Sequence, residues 1–163
     1  MTDGVEFLRA IEMAFPVEPL PNRFFWASGE VSLGYDIPQE LENRISGRRW
    51  TDVTLMDWRM TGASPAVSRS YLEPTTFMYY LPSIIVGGFR EPEFIEFALG
   101  AMIPHNKSHV PRGPWWSEFS AGASSPQRAA LSTFLASVRH SLWDEVGSAN
   151  QHLLEYAEKV WSG

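Results

Sequence analysis

Apolar residues recur at helical spacing along most of this chain. Phe7, Leu8, Ile11, Ala14 and Phe15 share one helical face. Asp3 is placed to cap that helix, Glu6 follows three residues on as in a capping box, and Pro16 stops it. Residues 38–46 predict a short helix, with Pro38 in its first turn, Leu41 and Ile45 four apart, and Gly47 just past its end. The stretch Trp50 to Met60 reads as strand through Val53-Thr54-Leu55-Met56, or as helix through Trp50, Val53, Asp57 and Trp58; helix is the expectation. Pro74 opens a helix through Phe77, Met78, Tyr79, Tyr80 and Leu81. Pro82 lacks an N–H, so a kink or a fresh helix start is expected there. Ile84, Ile85 and Val86 are apolar on every side and predict burial, and Gly87-Gly88 is expected to end the element. A helix opened by Glu91-Pro92-Glu93 carries Phe94, Ile95, Phe97, Ala98 and Met102 and closes at Pro104. The clearest pattern is 126–142, capped by Ser124 or Ser125, with Leu131, Phe134, Leu135, Val138 and Leu142 in a stripe. A last helix begins near Ser148, with Ala149, Leu153, Tyr156, Ala157 and Val160 inward.

Between these runs the pattern breaks. Residues 16–37 contain Pro16, Pro19 and Pro21 and predict an irregular wrap. Phe24, Phe25 and Trp26 should pin that wrap to the core. Val31, Leu33 and Tyr35 alternate, so a short strand near 30–35 is one reading. Residues 61–70, rich in Gly, Ser and Pro, read as a linker. Residues 104–124 have no period and predict a long loop, partly packed through Trp115-Trp116. No repeat or low-complexity tract is visible. The expected fold is mainly α: a compact multi-helix single domain over 1–163, with short strands confined to the N-terminal third.

Composition sharpens this. The 163 residues are 44% hydrophobic and 20% charged, which excludes global disorder. There is no Cys, so disulfides, zinc-thiolate sites and thiol catalysis are excluded, and a reducing compartment fits. The formal net charge of −6 argues against phosphate-driven binding of nucleic acid, and Arg48-Arg49 is too short a basic run to reverse that. The charge serves solubility in the plain reading and a basic partner in the sharper one. The first residues carry neither a basic start nor an apolar stretch, and Pro74 to Phe89 is too short and interrupted to span a bilayer. A cytoplasmic protein with no membrane contact is expected.

Candidate chemistry is sparse. His105 and His109 are four apart, but Asn106 stands where a zinc hydrolase needs Glu, and Pro104 and Pro111 bracket the pair. Two loop histidines filling hydrogen bonds is the better reading, and no metal or other cofactor is expected. His140 and His152 sit on predicted helices and read as surface residues. No Gly-x-Ser-x-Gly, phosphate loop or dinucleotide fingerprint occurs. Glu91, Glu93 and Glu96 fit acid–base chemistry less well than the positive end of a helix start. They also form an acidic patch suited to a basic partner. Tyr79 and Tyr80 flank Pro82, and a packed ring with a partnered hydroxyl is the expected role. Trp115 and Trp116 are either core or an interface anchor.

The run Leu72-Glu73-Pro74-Thr75-Thr76-Phe77-Met78-Tyr79-Tyr80-Leu81-Pro82 resembles the signature of an uncharacterised bacterial domain family with a Phe-x-Tyr-Tyr-Leu-Pro core. Ser125-Pro126-Gln127-Arg128-Ala129-Ala130-Leu131 with Phe134-Leu135, and upstream Gly47-Arg48-Arg49-Trp50, are similar to its other motifs, so the resemblance covers residues 5–138. It implies a mostly helical domain and no known reaction. It also implies an association with toxin immunity. The leading expectation is therefore a non-catalytic binding protein that covers the basic active-site cleft of a cognate protein toxin. Its candidate contacts are Glu91, Glu93, Glu96, Trp115 and Trp116. A self-assembling structural or regulatory module, and a metal-dependent enzyme using the 104–124 loop, are the alternatives.

Overall fold

The computed structural model describes residues 2–26, 36–104 and 110–162. The described residues fold as helices. In chain order these are α1 (Thr2–Ala14), α2 (Asp36–Arg44), α3 (Leu55–Arg59), α4 (Pro65–Ser68), α5 (Pro74–Arg90), α6 (Ile95–Ala101), α7 (Pro114–Ala121) and α8 (Ser125–Trp161). Single 3-10 turns at Trp50–Asp52, Arg69–Tyr71 and Pro92–Phe94 join them. Among the described residues extended pairing is limited to one antiparallel bridge, Phe25 to Leu72. The strand considered near 30–35 lies outside the described residues. Among the described residues no helix is long and apolar enough to cross a membrane.

Helix α5 is the centre. It is apolar all round, so α3, α6 and α7 pack against it, while α8 joins α1 to α6. One hydrophobic cluster runs from Phe7 to Trp161. Two aromatic nodes tie it together. Phe7 of α1 lies 4.9 Å from Phe89 of α5 and 5.1 Å from Phe134 of α8. Phe77 of α5 meets Trp58 at 5.7 Å, Trp115 at 5.9 Å and Phe119 at 5.7 Å. Centroid spacings of this kind add attraction beyond the area they bury.

Several boundaries follow the sequence. Ser124 caps α8 in a capping box with Gln127, whose backbone N donates to Ser124 Oγ at 3.2 Å. Gly147 has φ 79° and breaks α8, so a separate last helical segment starts at Ser148 as expected. Phe24 and Phe25 do pack on the core. The Trp26 N–H donates to the Tyr71 carbonyl, and the Glu73 N–H to that of Phe24.

Other expectations are corrected. Helix α1 starts at Thr2, so Asp3 and Glu6 lie inside it and do not form its cap. The 50–60 stretch is helical, but in two pieces. Its 3-10 turn stops at Asp52, and Thr54 then caps α3 with Asp57 in a capping box. Residues 61–70 are no linker: they hold α4 and a 3-10 turn and bury Thr61, Ser68 and Arg69. The 104–124 loop contains α7, which opens at Pro114 and sends Trp116 and Phe119 inward. Eight residues with two core positions are too short to show a period.

Pro82 and Gly87-Gly88 were expected to break or end α5, yet it runs as one helix to Arg90. Burial of Pro82 and its neighbours outweighs the ladder bond that proline cannot make to the Met78 carbonyl. The glycines serve close packing. A Cβ on Gly87 would stand 2.6 Å from Leu55 Cβ, and one on Gly88 would stand 2.9 Å from Ala98 Cβ. So α3 and α6 rest directly on the α5 backbone. Gly87→Ala is expected to lose about 1–2 kcal/mol in urea unfolding, overpacking exceeding the gain in helix propensity. Gly100→Ala, whose Cβ would meet Ala66 at an ordinary 3.9 Å, is the control and should hold or gain stability.

Candidate functional site

A groove opens where α1, α3 and α5 meet. Its wall starts at Gly47, whose φ of 77° turns the chain out of α2. Arg48 then braces the segment. Its Nη1 donates to the Arg44 carbonyl at 2.7 Å and to Asp57 Oδ2 at 3.2 Å, and its Nη2 to the Asp52 carbonyl. Two phenols from α5 fix the same wall from within. The Tyr80 hydroxyl donates to the Arg48 carbonyl at 2.6 Å. The Tyr79 hydroxyl donates to the Val17 carbonyl at 2.7 Å and accepts from the Trp50 N–H at 3.2 Å. Trp50 Nε1 donates to the Phe15 carbonyl at 2.9 Å. The tyrosines thus have the partnered hydroxyls expected of them, with partners on the groove wall and not at the proline.

The groove has a volume of about 690 Å³. Val53, Leu55, Val86 and Gly87 make its apolar floor, with Leu8 of α1 and Trp50 beside them. Met56 stands at its lip and is 54% exposed. Glu12, Arg90 and Glu91 are exposed on its rim, and their side chains make no ion pair or hydrogen bond among the described residues. Two of the hydroxyls along it are already committed. Ser83 Oγ donates to the Tyr80 carbonyl and accepts from Trp58 Nε1 at 2.8 Å, while Thr54 Oγ1 caps α3. An apolar trough with unpaired charges on its edge can take an apolar group flanked by polar ones.

The sequence-derived candidates divide between two places. Glu91 borders the groove; Glu93 and Glu96 follow it at the start of the next helical run, and all three are exposed. Trp115 and Trp116 line a different cavity, of about 440 Å³. Trp116 is 6% exposed, and Trp115 Nε1 donates to the Leu72 carbonyl at 2.8 Å. Both rings lie 5.3 Å from the guanidinium of Arg69, in cation–π contact. Arg69 is the residue that sequence reading missed. Burial lowers its pKa to about 10, still charged at neutral pH. It sits between two serines in a stretch of linker composition, which carries no sign of burial. His105 and His109 lie outside the described residues, and among the described ones no three His, Asp or Glu gather as metal ligands.

A family of unknown function, DUF6714, matches residues 3–162. The chain belongs to this family. The match to DUF6714 takes in both cavities and the Leu72–Pro82 run. Comparison with curated proteins and with solved structures found no match.

The groove wall carries a pH dependence. Burial pushes the Tyr80 hydroxyl up to about 12, above the value of 10 for the free side chain. The unfolded chain therefore ionises first. Stability from this group is complete below pH 10 and drains away as pH rises towards 12. Thermal unfolding across that window is expected to show the fall, and Tyr80→Phe to flatten it. Tyr79→Phe should cost about 1–2 kcal/mol at neutral pH, since it strips one hydroxyl from both Val17 and Trp50.

Proposed function

We propose that this member of DUF6714 is a non-catalytic binding protein, an immunity protein that neutralises a cognate toxin by direct contact. The observation that supports it most is the rim of the α1–α3–α5 groove. Free carboxylates at Glu12 and Glu91 flank an apolar floor, and Glu93 and Glu96 extend the acidic surface beyond it. Against a toxin with a basic cleft, such carboxylates take the place of substrate phosphates and speed the encounter. Met56 at the lip gives an adaptable apolar contact. The toxin itself is suggested by the family resemblance of the Leu72–Pro82 run, and the net charge of −6 agrees with a basic partner. The reading puts the encounter in the cytoplasm, with which a cysteine-free chain is compatible. It rests on the glutamates, because the fold itself employs Trp115 and Trp116.

The test is co-expression with the products of flanking reading frames, followed by titration of the purified pair. A neighbour that is toxic alone and silenced by this protein is expected. Reversing Glu91, Glu93 and Glu96 to Lys should weaken that complex at least tenfold at low salt, mainly through slower association. A stable complex indifferent to the triple reversal would remove these glutamates from the interface. Absence of any toxic neighbour or complex would end the immunity reading.

A further inference from the structure

A buried cation ordinarily faces a carboxylate. Arg69 does not. Its side chain is 3% exposed, and its protein partners are backbone carbonyls at the end of α6. Nη1 donates to Ala101 at 2.7 Å and Gly100 at 3.3 Å, and Nη2 donates to Ile103 at 2.7 Å. A guanidinium has five N–H groups. The Nε–H makes no hydrogen bond, and Nη2 makes one of its two. Every fully buried side-chain nitrogen or oxygen among the described residues has a partner. The unpartnered Nε–H is therefore not wholly sealed from solvent, and Arg69 lines a cavity. Nε and Nη2 share one edge of the guanidinium, the edge that grips a carboxylate or phosphate side-on.

The cavity suits that use. Among the described residues its lining includes Arg69, Arg112, Ser70, Trp115 and Trp116, and no Asp or Glu. Arg112 is exposed and makes no ion pair or hydrogen bond among them. Two arginines without an acid are unusual in a chain of net charge −6. We propose that this cavity binds a small ligand through a carboxylate or phosphate group, held by the free edge of Arg69 and by Arg112, with the two indoles beside its apolar body. The site is separate from the groove and does not depend on the immunity reading. The lowered pKa of Arg69 agrees with it: burial costs this cation part of its hydration, and no acid among the described residues offsets that.

The experiment is thermal unfolding of the full chain in millimolar inorganic phosphate or benzoate, against chloride at matched ionic strength. At about tenfold excess over Kd, a binding probe should raise Tm by about 3–5 °C. Arg112→Glu, at an exposed position, should lower probe affinity at least tenfold while leaving the probe-free Tm nearly unchanged. Arg69→Lys keeps the charge and loses the fork; weaker probe binding is expected there too. A purely structural Arg69 would instead lower Tm with probe affinity unchanged. Binding of either probe through Arg112 supports the site, and their ratio separates phosphate from carboxylate chemistry. A rise no greater than in chloride for both probes, or equal affinity in Arg112→Glu, would overturn it.

Discussion

Short helices end often, and each end leaves backbone carbonyls without a helical partner. In this fold aromatic and cationic side chains supply the missing donors. Trp50 reaches Phe15, Trp115 reaches Leu72, and Trp161 reaches Met102, each through its indole N–H. Tyr79 and Tyr80 do the same for Val17 and Arg48, and Arg69 serves the carbonyls that close α6. The arrangement employs three of the 7 Trp, since an indole fills core volume and donates one bond at its edge. Remove the donors and the segments between the helices would bury unpaired carbonyls, at a cost of about 1–3 kcal/mol each.

The same donors build both cavities. The phenols that satisfy Val17 and Arg48 hold the wall of the α1–α3–α5 groove, so its shape is set by the core beneath it. The indoles around Arg69 fix the second cavity in the same manner. The two differ in charge. The groove has an apolar floor with carboxylates and one arginine on its rim, while the Arg69 cavity has two arginines and no acid among its described lining. One molecule thus carries an apolar groove rimmed mainly by acids and, among the described residues, a recess lined by two arginines and no acid.

Helices with several inward positions were legible. Helix α1 shows its stripe from Phe7 to Phe15, and the first part of α8 shows one from Leu131 to Leu142, because a repeated apolar face needs three or more turns to appear. Helix α7 has only Trp116 and Phe119 buried, and α4 has four residues in all, so neither could show a period. Glycine misled for another reason. Gly87-Gly88 has the local character of a helix end, but its use is to admit Leu55 and Ala98 against the backbone, a demand made by other parts of the chain.

The sequence by itself determined the helical class, the freedom from thiol chemistry, the acidic balance and the Ser124 cap of α8, because each depends on composition or on residues a few positions apart. It also placed Glu91, Glu93 and Glu96 at an exposed helix start. Only the tertiary structure decided which of them borders a groove, that Trp115 and Trp116 turn inward, and that Arg69 is buried beside Arg112. Arg69 meets Gly100, Ala101 and Ile103 more than thirty positions away, and no local pattern encodes a contact between residues that only packing brings together.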